Sequence, residues 1–195
     1  MKIRLILLSV VMLSACSASP PAIEYYLLDT PSSAVSKGQS NVPAVVLESL
    51  QMPDYLLQNG LVMSKGTNQL HISSQHYWAQ SMKTAVQSVL LKELNGADSN
   101  LRLLAGAEVT AQHSRYQLHI DLIHLLIVQQ HGIRLQARYW LTGQEKNKIL
   151  HQGTSDIDIA LTADGYEHAV EKMREAVVKF CQQLNQELGP AVLVH

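Results

Sequence analysis

Few residues in this chain combine a reactive type with a spacing that could do chemistry. His119-x-Asp121 sets an imidazole two residues from a carboxylate, and His124 follows five residues after His119. On a strand, residues two apart share a face, so His119 and Asp121 point one way and His124 the other. Two ligands do not make a zinc site, which needs a third or fourth donor. Serine, histidine and aspartate occur throughout, but the chain has no Gly-x-Ser-x-Gly elbow and no His-Glu-x-x-His helix. The expectation is no catalytic residue, no metal and no cofactor, with His119 and Asp121 on a solvated polar face. Cys181 stands beside Phe180 in an apolar helical stripe and reads as a buried reduced thiol.

Cys16 reads differently. Lys2 and Arg4 precede an apolar run from Ile3 to Met12, of about ten residues, where a bilayer span needs roughly 20. The run ends in Leu13-Ser14-Ala15-Cys16, which resembles the lipobox of bacterial lipoproteins. Small residues before the cut fit a narrow protease subsite, and the thiol carries the diacylglyceryl group. The expected organisation is a signal peptide over 1–15, a lipid anchor and tether over 16–23, and one domain over 24–195. Acyl chains anchor a protein stably when two or three are present, at about 0.8 kcal/mol per buried CH₂. Ser17, rather than an aspartate, follows the cysteine, which resembles the outer-membrane address of enterobacterial lipoproteins. The tether includes Pro20-Pro21 and reaches at most roughly 25 Å.

These features must be carried by a folded unit, and the composition allows one. Of 195 residues, 47% are hydrophobic and 16% charged, which excludes a disordered tail or a collagen-like fibre. Without Lys2 and Arg4 the chain holds 13 basic against 16 acidic groups, a balance that disfavours nucleic acid as a partner.

The patterning is β first. Tyr25 to Leu28 and Ala44 to Leu50 read as strands, 31–41 as a loop, and Leu70 with Ile72 as a short third strand. Trp78, Met82, Ala85, Val86, Val89, Leu90 and Leu94 mark a helix face that ends at Asn95-Gly96. Leu101 to Leu104 is a short strand. Tyr116, Leu118, Ile120 and Leu122 alternate with polar residues, and Gln130-His131-Gly132 turns the chain into the return strand Ile133 to Leu141. Ile149 to Ile159 continues the antiparallel set. A stripe from Tyr166 to Leu188 predicts a long helix, capped at Asp164 and stopped by Gly189-Pro190. The fold class expected is α/β, a single domain with a mixed, mostly antiparallel sheet and two amphipathic helices packed on it.

One segment resists periodicity. Pro53 must end or bend the strand from Ala44, and Asp54-Tyr55-Leu56 then starts a turn or short helix that Gly60 closes. Tyr25-Tyr26-Leu27 soon after Cys16, Pro53 to Leu56 after a strand, a short strand Leu70 to Ser73, and Trp78-Ala79 opening a helix together resemble the PqiC/YmbA family. That resemblance extends to the last helix. It implies a non-catalytic outer-membrane lipoprotein, facing the periplasm. Its partner would be a tube-forming, PqiB-like MCE protein anchored in the inner membrane. The implied role is lipid transport between membranes and support of envelope integrity. The chain's nine histidines have no role in that pattern. The alternative is an envelope-assembly lipoprotein that plugs or chaperones an outer-membrane β-barrel. A lipid-carrying domain would need a cavity.

Partner contacts are expected at Pro53, Asp54 and Tyr55, which otherwise only shape the turn, and at Ile123, Leu125 and Ile127. Beyond Leu122 these last three share a face with His119 and Asp121, so one-sided burial cannot account for both apolar sets. Either a β-bulge near His124 turns them into the core, or a second copy or partner covers them. The second reading is preferred here, with a homo-oligomer, a ring among its forms, as the expected state.

Replacing Cys16 with alanine is expected to leave a precursor that keeps residues 1–15 and takes up no labelled palmitate. Mass spectrometry and labelling check this, and palmitate on the Cys16→Ala protein would contradict it.

Overall fold

The structure is a computed structural model that describes residues 22–29, 42–106, 115–128, 131–143 and 148–193. Cys16, its tether to residue 21 and the loop over 31–41 lie outside the described residues. In chain order the elements are β1 (Glu24–Tyr26), β2 (Ala44–Gln51), a 3-10 turn (Asp54–Leu57), β3 (Gly60–Ser64) and β4 (Leu70–Trp78). They continue with α1 (Met82–Leu94), β5 (Arg102–Leu104), β6 (Gln117–Val128), β7 (Gly132–Thr142), β8 (Ile149–Ile159) and α2 (Tyr166–Leu193).

Among the described residues all eight strands join one sheet, and β6 is its axis. On one edge β6 pairs antiparallel with β7, which pairs antiparallel with β8. On the other edge it pairs in parallel first with β2, at Gln117 to Asp121, and then with β3, at Ile127 and Val128. The sheet therefore forks there, one branch continuing to β5 and the other through β4 to β1. The two longest ladders, β6–β7 and β7–β8, are antiparallel, as expected of a mixed, mostly antiparallel sheet. Both helices lie on one face, with α2 crossing β7 and β8 and α1 packed against α2 and β5.

The core is built from the alternation. Leu118, Ile120 and Leu122 on β6, and Leu135, Ala137, Tyr139 and Leu141 on β7, meet Val177, Phe180, Leu184 and Leu188 of α2. Each is at most 1% exposed. Asp29, just after β1, ties the edge of the sheet to both helices. It accepts from Lys92 of α1 at 3.2 Å and from Arg174 of α2 at 2.8 Å.

Three boundaries depart from expectation. Trp78 ends β4 rather than opening a helix, its N–H donating to the Asn59 carbonyl at 2.8 Å. Its spacing to Met82 imitates a helical turn, but the cap is Ser81, whose hydroxyl accepts from the Thr84 N–H at 3.2 Å. At the start of α2, Gly165 with φ 110° supplies the turn and its carbonyl takes the first helical bond, so Asp164 is not the cap. At the other end α2 runs through Gly189 and Pro190 to Leu193. Gly189 is there for closeness: a Cβ would stand 2.7 Å from Cβ of Asn100. Asn185 Oδ1, one turn earlier, accepts from the Asn100 N–H at 2.7 Å. Strand β3 leaves no signal in the sequence, where Gly60 reads as closing a turn, yet Gly60 begins the strand.

Tyr139 is the largest fully buried side chain and depends on Gly153 opposite it on β8. A Cβ at 153 would fall 2.4 Å from the Tyr139 hydroxyl. That hydroxyl donates to Glu187 of α2, which also holds His151 at 3.0 Å and Gln183 at 2.9 Å. Burial pushes the Glu187 carboxyl up, but these bonds outweigh it and hold the group below its usual range. Gly153→Ala should therefore cost about 1–3 kcal/mol by overpacking, while Gly66→Ala, with open space around it, stays near the parent. Urea unfolding of both proteins checks this.

Candidate functional site

The turn at Pro53 fills the fork in the sheet. Pro53 leaves β2 extended at φ −67°, ψ 150°, and its carbonyl accepts from the Leu56 N–H at 2.9 Å. Leu56 is 2% exposed and pins the turn into the core, and Leu57 and Asp54 stand out of it. Tyr55 reaches across to β6. Its hydroxyl donates to the Ile123 carbonyl at 3.0 Å and lies 2.6 Å from His124 Nδ1. Neither parallel ladder reaches this stretch of β6, so a side chain meets backbone polarity that no strand satisfies.

Ile123 is the extra residue of a bulge. Leu122 pairs with Ala137 and His124 with Gln136, so β6 slips by one there. This corrects the preferred reading of Ile123, Leu125 and Ile127 as a covered outer patch. The slip turns Leu125 and Ile127 inward, where they are 0% and 3% exposed in the core of this chain, and only Ile123 stays half-buried. It also corrects His124, which alternation set opposite His119 and Asp121. After the bulge all three point away from the helices.

The helix-free face of β6, β7 and β8 is thus a set of cross-strand rows. His119 stacks on Trp140, with ring centroids 5.0 Å apart and planes 5° apart, and Ser49 Oγ lies 3.0 Å from its Nδ1. Asp121 accepts from Arg138. Gln136 donates to Asp156 at 3.1 Å, and Arg134 grips Asp158 at 2.8 and 3.0 Å. Desolvation lowers the His119 pKa, with Glu48 opposing it. The hydrogen bond between Arg134 and Asp158 raises the first group and lowers the second. Charges that face water and pair with each other add little stability, but they keep an open sheet face soluble. This is the polar face expected of His119 and Asp121. Among the described residues no group of three His, Cys, Asp or Glu could hold a metal ion. Cys181 is 2% exposed, and burial pushes its thiol far up, which leaves it inert.

A second polar cluster was missed in the sequence because its members lie far apart in it. Tyr26 on β1 donates to Glu24 at 2.5 Å and lies 3.0 Å from His76 Nδ1, and His76 stacks on Tyr166 at 3.8 Å. It borders a cleft of 1190 Å³ between β1 and the start of α2. Glu24, Asp164, Glu167, Glu171 and Arg174 line that cleft together with Tyr25, Leu27, Leu28 and Val170.

Burial pushes the Tyr55 hydroxyl up to about 12. An unfolded tyrosine ionises near pH 10, so above that pH the unfolded chain binds fewer protons than the folded one. The stabilisation is complete below about pH 10 and is lost as pH rises towards 12. Tyr55→Phe should cost about 1–2 kcal/mol at neutral pH by stranding the Ile123 carbonyl. It should also flatten the alkaline loss. Urea titrations at several pH values check this; a variant as stable as the parent that fails only in cells would make Tyr55 a partner contact.

The comparisons bear on what carries this site. No curated protein matches the chain. A crystal structure of an uncharacterised protein superposes with a TM-score of 0.66 at 15% identity, covering 85% of this chain and 98% of that one. A DUF330 protein from Xanthomonas campestris superposes with a TM-score of 0.64 at 11% identity, covering 88% and 97%. At such identities the likeness concerns the fold. The family model described as ABC-type transport auxiliary lipoprotein component matches residues 25–185, from β1 into α2. The chain belongs to the family of ABC-type transport auxiliary lipoproteins, as the Tyr25-Tyr26-Leu27 and Pro53 to Leu56 segments implied.

Proposed function

We propose that this chain is a non-catalytic accessory subunit, anchored through acyl groups on Cys16 in the outer membrane and facing the periplasm. There it docks the periplasmic tube of an MCE-type, PqiB-like transport complex and supports envelope integrity. The observation that carries this reading is the extent of the family match, which takes in the folded unit from its first strand to its last helix. The role of such a subunit is geometric. Its folded part begins within roughly 25 Å of the anchor, and the exposed Asp54 and Leu57 of the turn are accessible to a partner.

Self-association belongs to the same proposal. Strand β8 has 11 residues and, among the described residues, a partner on one edge only, so a second copy could pair with it.

Crosslinking of the tagged, Cys16-anchored protein in its own cells, followed by mass spectrometry, tests both parts. The expected products are an MCE-domain protein and a homo-oligomer. Recovery of an outer-membrane β-barrel in place of the MCE protein would favour the envelope-assembly reading. An anchored protein that crosslinks to neither would contradict docking.

A further inference from the structure

The geometry points to a shallow membrane contact made by Tyr25 of β1 with Ile23 and Leu27, which flank the strand. The inference rests on the proposed acylation of Cys16 and adds a second, non-covalent attachment beside it. These side chains are 57%, 68% and 44% exposed. Alternation explains why they stand together. Tyr26 turns the other way, towards His76 and Tyr166, and Leu28 is 1% exposed in the core. Tyr77 of β4, in register with Tyr25, adds its ring at 6.0 Å and widens the patch.

The occupant follows from where the chain goes. Six residues separate Cys16 from Ile23, two of them proline, so Ile23 stays within roughly 25 Å of the acylated residue whatever path the tether takes. A bilayer is therefore the first large surface it meets, at the high effective concentration that a short tether imposes. The side chains suit that surface. Two aliphatic groups flank a tyrosine, whose ring and hydroxyl fit the boundary between headgroups and acyl chains. None of the three carries a charge. Charge also selects the kind of lipid: Tyr25 and Leu27 border a cleft in which the carboxylates Glu24, Asp164, Glu167 and Glu171 outnumber the one guanidinium, Arg174, so the contact suits a zwitterionic surface and gains nothing from anionic lipid. Other exposed apolar side chains, such as Ile149 and Leu193, stand on β8 and at the C-terminal end of α2.

The test uses the full chain with its own acyl groups, reconstituted into vesicles of phosphatidylethanolamine and phosphatidylcholine. An environment-sensitive fluorophore is attached at Tyr25→Cys and, independently, at Ile23→Cys. Gln152→Cys on the open sheet face is the control, and buried Cys181 does not react in the folded protein. The labels at 23 and 25 should shift to the blue on reconstitution. Headgroup-level spin-labelled lipid should quench them roughly threefold more than the label at 152. Adding anionic lipid should leave both effects unchanged. A label at 25 as wet as that at 152, in protein that floats with the vesicles, overturns the contact and spares the anchor. A chain that neither floats nor carries an acyl mass overturns both. A blue shift without lipid that grows with protein concentration assigns the stripe to a second copy and overturns the membrane contact.

Discussion

Strand β6 hydrogen-bonds β7 along one edge and two successive parallel strands along the other. β2 serves residues Gln117 to Asp121, β3 serves Ile127 and Val128, and a gap is left between them. The bulge at Ile123 and the Tyr55 hydroxyl close that gap together. The slip lets both halves of β6 send aliphatic side chains to the same core, and the tyrosine satisfies the backbone that the slip exposes. Without this joint, either Leu118 to Leu122 or Leu125 to Ile127 would face water.

The joint also sorts the rest of the molecule. It gathers His119, Asp121 and His124 on the face without helices, where stacking on Trp140 and pairing with Arg138 and Tyr55 give each a partner. The histidines are thereby spent on separate structural contacts: His76 on Tyr166, His151 on Glu187, His119 on Trp140. The scaffold thus combines a polar open sheet face with exposed apolar side chains at and beside its β1 edge.

Much of this was legible in the sequence, for identifiable reasons. Alternation on β6 and β7 is strict because one face of each is buried under α2, and the stripe of α2 is long enough to show its period. The same alternation misled beyond Leu122, because a bulge changes parity without leaving a residue type that marks it. Ile123 looks like any other isoleucine. Its fastening, Tyr55, sits 68 residues away and was legible only as part of a family segment. Trp78 and Gly189-Pro190 misled for a related reason: local spacing suggested helix boundaries that packing against Asn59 and Asn100 moved.

The central claim is that the joint at Ile123 makes the two halves of β6 one cooperative unit. Native-state hydrogen exchange of the full chain, resolved by residue, tests it most directly. Leu118 to Leu122 and Leu125 to Ile127 should share one opening free energy, and Tyr55→Phe should lower both equally. If the second half opens alone while the first stays protected, the joint does not hold the sheet together.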